Sequence, residues 1–142
     1  MAETFDVVVI GAGSAGLTAA GGPAMFGLKS ALIEEGPMGG DCLNTGCVPS
    51  KAIIAAAHRA HEAATTTHLG VTLSAPKVDF AAVMAHVHRA IETIAPVDSQ
   101  ERFEGMGVRV YRGRGVLRDD RTVEVNGEIG RASCRERVLM PV

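Results

Sequence analysis

A six-residue glycine run, Gly11-Ala12-Gly13-Ser14-Ala15-Gly16, constrains this chain more than any other feature. It follows a short apolar run, Phe5–Ile10 (FDVVVI), and opens an Ala-rich stretch from Ser14 to about Phe26. A continuous apolar run of that length reads as a strand buried on both faces. The Ala-rich stretch reads as a helix, which Gly21-Gly22-Pro23 is expected to kink or loosen. Lys29–Ile33 (KSALI) reads as a second strand, closed by Glu34. Together these make a βαβ unit.

In that setting each glycine has a task. Gly11 permits the tight turn, Gly13 lets a pyrophosphate approach the backbone, and Gly16 lets the helix pack on the strand. The helix beginning at Ser14 offers N–H groups and a positive dipole end to phosphates. An acidic residue that binds ribose hydroxyls is expected about 20 residues on. Glu34 stands eighteen residues past Gly16. Glu35 competes with it, and strand alternation should turn only one of the two to the ribose. An acidic partner disfavours a 2′-phosphate, so NADP is disfavoured here, and FAD and NAD remain.

The second constraint is Gly39-Gly40-Asp41-Cys42-Leu43-Asn44-Thr45-Gly46-Cys47-Val48-Pro49-Ser50-Lys51. In an undistorted helix, Cα atoms five residues apart lie roughly 8–9 Å from each other. A disulfide tolerates about 4.4–6.8 Å. If Cys42 and Cys47 pair, the segment between them is not a regular helix. Gly46 and Pro49 supply a distortion: one is conformationally free, and the other lacks an N–H and disfavours α backbone at Val48. A dithiol beside a nucleotide site needs a two-electron partner that stays bound, which favours FAD. Zinc generally takes four Cys/His ligands, and no second cysteine cluster accompanies this one. His58, His61, His86 and His88 read as solvated or packing residues.

At 142 residues and a net charge of −2, the chain makes one domain and carries no basic excess for nucleic acid. No apolar run approaches the roughly 18–20 residues of a membrane span. The N-terminus carries Glu3 and Asp6 in place of a basic signal region, so a cytoplasmic location is expected. There a redox-active pair is more plausible than a structural disulfide.

Downstream, Ala52–Ala64 reads as a helix ended by Thr65-Thr66-Thr67, with a short extended piece at Val71–Leu73. Asp79 reads as the N-cap of an amphipathic helix carrying Phe80, Val83, Val87, Ala90, Ile91 and Ile94, ended by Pro96. Asp98–Met106 reads as a more polar helix closed by Gly107. Val108–Arg112, Gly115–Arg118 and Thr122–Val125 read as three short strands, with a turn at Asp119-Asp120.

The last stretch breaks the pattern. Ile129-Gly130-Arg131-Ala132-Ser133-Cys134-Arg135-Glu136-Arg137-Val138 has three arginines and no hydrophobic period. It back-translates as ATC GGA AGA GCG TCG TGT AGG GAA AGA GTG, which looks like a sequencing adapter read in frame. The genuine sequence is therefore expected to end near Glu128. Residues 129–142 become a non-native tail, and Cys134 drops out of the argument.

The glycine run and the cysteine segment together resemble the N-terminal FAD-binding domain of the flavin-dependent pyridine nucleotide–disulfide oxidoreductases, over roughly residues 4–128. Pro49-Ser50-Lys51 is closer to the dihydrolipoamide dehydrogenase and mercuric reductase branches than to glutathione reductase. Asp41 stands where those enzymes usually carry Thr. The resemblance implies an α/β fold: an incomplete, Rossmann-like, three-layer FAD domain with a central parallel sheet, flanking helices and a small β-meander. It implies a redox-active Cys42–Cys47 disulfide, with Cys47 facing the flavin as the charge-transfer thiolate. Cys42 would be the interchange thiol that attacks a small-molecule substrate, and Lys51 would lie near the flavin ring. Gly11, Gly13, Ser14, Gly16, Glu34, Gly40 and Asp41 would line FAD, with Gly115 near the adenine. NAD(P)H would be the donor in a longer, homodimeric parent whose nicotinamide and dimerisation domains this chain lacks. The chain alone is then expected to be inactive. The alternative is a stand-alone nucleotide-binding or redox-sensing module.

Overall fold

The computed structural model describes residues 3–65, 70, 71, 73–132, 138 and 139. Among them, strands β2 (Val7–Ile10), β3 (Ser30–Glu34) and β4 (Val108–Arg112) form a parallel sheet with the two-residue β8 (Val138–Leu139), in the order β4-β3-β2-β8. Val7 pairs with Ser30 and Ser30 with Val108. Helix α1 (Ser14–Met25) crosses from β2 to β3, as the βαβ reading requires. Pro23 does not end α1. It lies in the last turn, and the chain leaves through Phe26 and a left-handed Gly27.

The expected strand Phe5–Ile10 divides at Asp6. Its N–H donates to the Lys29 carbonyl (2.8 Å), and its carboxylate accepts from the Lys29 N–H (2.9 Å). Those bonds bend the chain, so β1 (Glu3–Phe5) enters a second sheet. That sheet runs β1-β7-β6-β5, with β5 (Gly115–Leu117), β6 (Thr122–Val125) and β7 (Glu128–Ala132) as an antiparallel meander. Val108–Arg112, the first of the three short strands expected from sequence, belongs to the parallel sheet, because it follows a helical crossover and lies along β3. β8 lies within residues 129–142, the segment set apart in the sequence, and β7 runs into it from Glu128; β7 pairs with both β1 and β6.

Alternation along the strands sorts the core into two faces. Val7, Val9 and Leu32 pack with Leu17, Ala20 and Phe103 on the helical side. Val8, Ala31 and Ile33 pack with Phe5, Val123 and Val125 on the meander side. Helices, parallel sheet and meander are thus the three layers.

Between β3 and β4 come α2 (Gly40–Asn44), α3 (Cys47–Thr65), α4 (Phe80–Ile94), a 3-10 turn (Ala95–Asp98) and α5 (Gln100–Gly105). Asp79 caps α4 by accepting from the Ala82 N–H (3.1 Å), and Ser99 caps α5 in the same way through Arg102 (3.2 Å). Helix α3 begins five residues earlier than the sequence suggests and ends at Thr65. Val71 and Leu73 are in no regular element, while Thr66, Thr67 and Thr72 lie outside the described residues.

Candidate functional site

The glycine turn forms as its spacing requires. Gly11 is left-handed (φ 99°) and donates to the Ile33 carbonyl (2.8 Å), tying the turn to β3. A Cβ at Gly16 would collide with the Gly11 carbonyl. A Cβ at Gly13 would meet open space, the clearance an approaching phosphate needs. One carboxylate oxygen of Glu34 accepts from the Ala12 N–H in the turn; the other accepts from the Gly36 N–H (2.6 Å).

Beside Glu34 lies a cleft of about 180 Å³, lined by Gly11, Glu34, Glu35, Arg114 and Gly115 among others. A Cβ on Gly115 would press within 3.1–3.2 Å of Ile10 and Ile33, so this wall needs a small residue. Glu34 and Glu35 both line the cleft. The strand ends at Glu34, so alternation no longer turns Glu35 away. Arg114 escaped the sequence reading; its signal was its place between Gly113 and Gly115, in a Gly-x-Gly beside the nucleotide strand. The glycine cradle, the Glu34 carboxylate and this cleft fit the adenosine half of FAD.

The cysteine segment is joined to the turn. The Gly39 N–H donates to the Ala12 carbonyl (3.0 Å). Gly39 and Gly40 are both left-handed, and a Cβ on Gly40 would lie 2.8 Å from the Gly13 Cα. Helix α2 starts at this contact and is clamped by Asn44, whose amide donates to the Met38 (3.1 Å) and Gly40 (2.7 Å) carbonyls. Its end comes where Thr45 and Gly46 both donate to the Asp41 carbonyl (2.9 and 2.5 Å). Helix α3 starts afresh at Cys47. The helix is therefore interrupted between the cysteines, and Gly46 is part of the break. Pro49 is not: it lies in the first turn of α3, where its missing N–H is no loss, and Val48 is helical.

Both cysteines are thiols in this structure, Cys42 half-buried and Cys47 exposed. Cys42 titrates below the ordinary thiol range. The Cys47 thiol and then the Ser14 hydroxyl favour its thiolate and outweigh its burial, and the Cys47 backbone N–H and the charge of Lys51 add to them. Cys47 is pushed up, chiefly because its proton is shared with Cys42 and a thiolate there repels a second one. The family resemblance assigns a thiolate to Cys47. Here the groups around the pair favour Cys42 as the first thiolate.

The structure thus brings Gly11, Gly13, Ser14, Gly16, Gly40, Cys42, Cys47 and Lys51 around one end of α1, with Glu34 and Gly115 at the cleft. Asp41 is exposed, its Oδ1 3.4 Å from the Thr45 hydroxyl. His58, His61, His86 and His88 are exposed, and no group of three potential metal ligands occurs among the described residues. Nor is any described helix long and apolar enough to cross a membrane.

The sequence pattern of the pyridine nucleotide-disulphide oxidoreductases matches residues 5–133, running past Glu128. A dihydrolipoyl dehydrogenase of Chlamydia muridarum is 36% identical over 90% of the chain, and a mercuric reductase of Lysinibacillus sphaericus is 30% identical over 88%. The chain spans only 27% and 23% of those proteins. Among solved structures, the Cu(II) complex of the HOCl-induced flavoprotein disulfide reductase RclA from Escherichia coli superposes with a TM-score of 0.72 at 23% identity. That match covers 94% of this chain and 27% of the other.

Proposed function

Because this chain belongs to the pyridine nucleotide-disulphide oxidoreductase family, we propose that it is the FAD-binding, thiol-bearing portion of an NAD(P)H-dependent reductase of disulfides or metal ions. The observation that carries this reading is the contact of Gly40 on Gly13, which seats the thiol pair on the nucleotide turn. When bound, FAD supplies the two-electron relay between a reduced nicotinamide and the thiols.

The residues of this chain divide the remaining work. Gly11, Gly13, Ser14 and Gly16 present the phosphate end of α1, Glu34 accepts from the ribose hydroxyls, and Gly115 leaves room by the adenine. Gly40, Asp41 and Lys51 flank the thiols. With a disulfide substrate, the Cys42 thiolate attacks one sulfur, the substrate S–S bond breaks, and one substrate thiolate leaves. Cys47 then gives up its proton and attacks Cys42, closing the Cys42–Cys47 disulfide and releasing the second thiol. Cytoplasm, where glutathione keeps such pairs reduced, suits this chemistry. The two named relatives act in one case on a dihydrolipoyl group and in the other on mercuric ion, and the terminal acceptor here lies in that range.

Since the chain spans about a quarter of these relatives, the nicotinamide site and the homodimer contacts belong to the remainder of a longer protein, and residues 129–142 to a non-native tail. The chain alone is then inactive. Steady oxidation of NADH or NADPH by the purified chain with a disulfide acceptor would overturn that. The binding reading is tested by titrating the chain with FAD and following quenching of flavin fluorescence. We expect saturable binding that weakens about tenfold or more in Glu34→Ala, given the strength of hydrogen bonds to a charged group. Equal affinity in the two proteins removes Glu34 from the site; no binding to either rejects the FAD assignment. A nucleotide-dependent redox module without catalysis is the reading left if FAD binds but the thiols never exchange with a disulfide.

A further inference from the structure

The cleft beside Glu34 is lined by the end of β3 and by Gly113, Arg114 and Gly115, where the chain passes from β4 to β5. Two glycines leave that second wall little side chain with which to fix itself. A residue of the meander reaches it instead. Asn126 lies in the two-residue turn between β6 and β7, across which Val125 pairs with Glu128. Its side-chain amide donates to the Arg112 carbonyl (2.6 Å), and it fills the space at Gly113, where a Cβ would collide with it. We propose that Asn126 is a positioning residue for the adenosine half of FAD: from the meander it holds the Gly113–Gly115 wall at the width the nucleoside needs. The inference rests on the FAD reading above and carries it to a residue outside the βαβ unit.

A chain of hydrogen bonds runs from Asn126 to Glu34. The Gly113 N–H, next along from the carbonyl that Asn126 holds, donates to the Glu34 carbonyl (2.9 Å). The Arg112 guanidinium donates to the Gly36 carbonyl, and the Gly36 N–H donates to the Glu34 carboxylate (2.6 Å). Residues 112 and 113 thus join both the backbone of Glu34 and the loop that orients its carboxylate. The meander delivers Asn126 to this place. Val123 and Val125 are buried with Ala31 and Ile33, and Gly115 pairs with Val125, so the turn follows at once beside the cleft.

Asparagine meets two demands here. Its φ is 50°, the one positive φ on a non-glycine among the described residues, and Gly127 follows at 81°. A two-residue hairpin turn with both central residues left-handed takes asparagine, aspartate or glycine at the first of them. Of these, only asparagine brings an N–H to donate to a carbonyl at neutral pH. Asn126→Gly and Asn126→Asp therefore suit the turn and delete the donor, which separates the clamp from the hairpin.

The test titrates the full chain and both variants with FAD and follows flavin fluorescence. Each variant should bind about three- to tenfold more weakly than the wild type, the scale of one hydrogen bond. ADP, which carries the adenosine half alone, should lose the same factor when it competes with FAD. Amide exchange without nucleotide, followed by NMR, gives a readout that a role in the turn alone would not move. The Gly113 N–H should exchange faster in both variants, while the amides that pair β6 with β7 keep their protection. Circular dichroism checks the fold, and one folded variant is enough to decide. Unchanged affinity for FAD and ADP in a folded variant overturns the proposal, as does lost protection across β6 and β7 with Gly113 unchanged. Binding by the wild type tests the FAD reading, and the difference between the proteins tests Asn126, so the two failures are told apart.

Discussion

Ser30 is 1% exposed and holds a hydroxyl oxygen that finds no hydrogen-bond partner among the described residues. It lies at the start of β3, between Val7 and Val108 in the middle of the parallel sheet. A buried hydroxyl without a partner costs about 1–3 kcal/mol, and removing it restores the difference. Ser30→Ala should therefore raise stability by about 1 kcal/mol, seen as a higher urea midpoint at unchanged slope; a lower midpoint would show that the hydroxyl is satisfied. Sequence reading could not find this residue, because nothing in KSALI says which side chain loses its water. The same limit applies to the thiols. Their spacing was legible, but their order of ionisation was not. That order rests on how the two thiols and the groups around them come together in three dimensions.

Among the elements, the turn leading into α1 sets the sharpest contrast between two glycines. A methyl at Gly16 has no room beside the Gly11 carbonyl, whereas one at Gly13, whose φ is −74°, meets nothing. Gly16→Ala should cost about 1–3 kcal/mol through overpacking, measured by urea unfolding. Gly13→Ala should leave stability within about 0.5 kcal/mol and weaken FAD binding instead. If both variants lose stability equally, the helix start is not what Gly16 protects. Elements marked by local chemistry were legible: α4 by Asp79 and its apolar period, α5 by Gly107, the βαβ unit by its glycines. Those decided by distant pairing were not. Asp6 bends Phe5–Ile10 only because Lys29 lies beside it, and Val108–Arg112 reads as a strand without saying which sheet it joins until β3 takes it as a neighbour. The start of α3 was missed because Pro49 suits the first turn of a helix as well as it suits a break.

At the scale of the molecule, the parallel sheet is covered unevenly. Both faces are packed, by helices on one side and the meander on the other, while α3 buries only Ala52 and leaves Ile53 and Ile54 exposed. Strands β7 and β8 lie along β1 and β2. If residues 129–142 are foreign, a chain ending at Glu128 should keep its circular dichroism and its FAD affinity. It should also scatter more light, because the edges of β1 and β2 are uncovered. Collapse of the sheet on truncation would make the tail integral to the domain. The contact of Gly40 on Gly13 reaches across the whole of this architecture. A single hydrogen atom on Gly40, where any other residue type would carry carbon, sets the interval between the nucleotide turn and the sulfur chemistry. A change at Gly40 is therefore a change to both motifs, because its side chain would push on the backbone of Gly13.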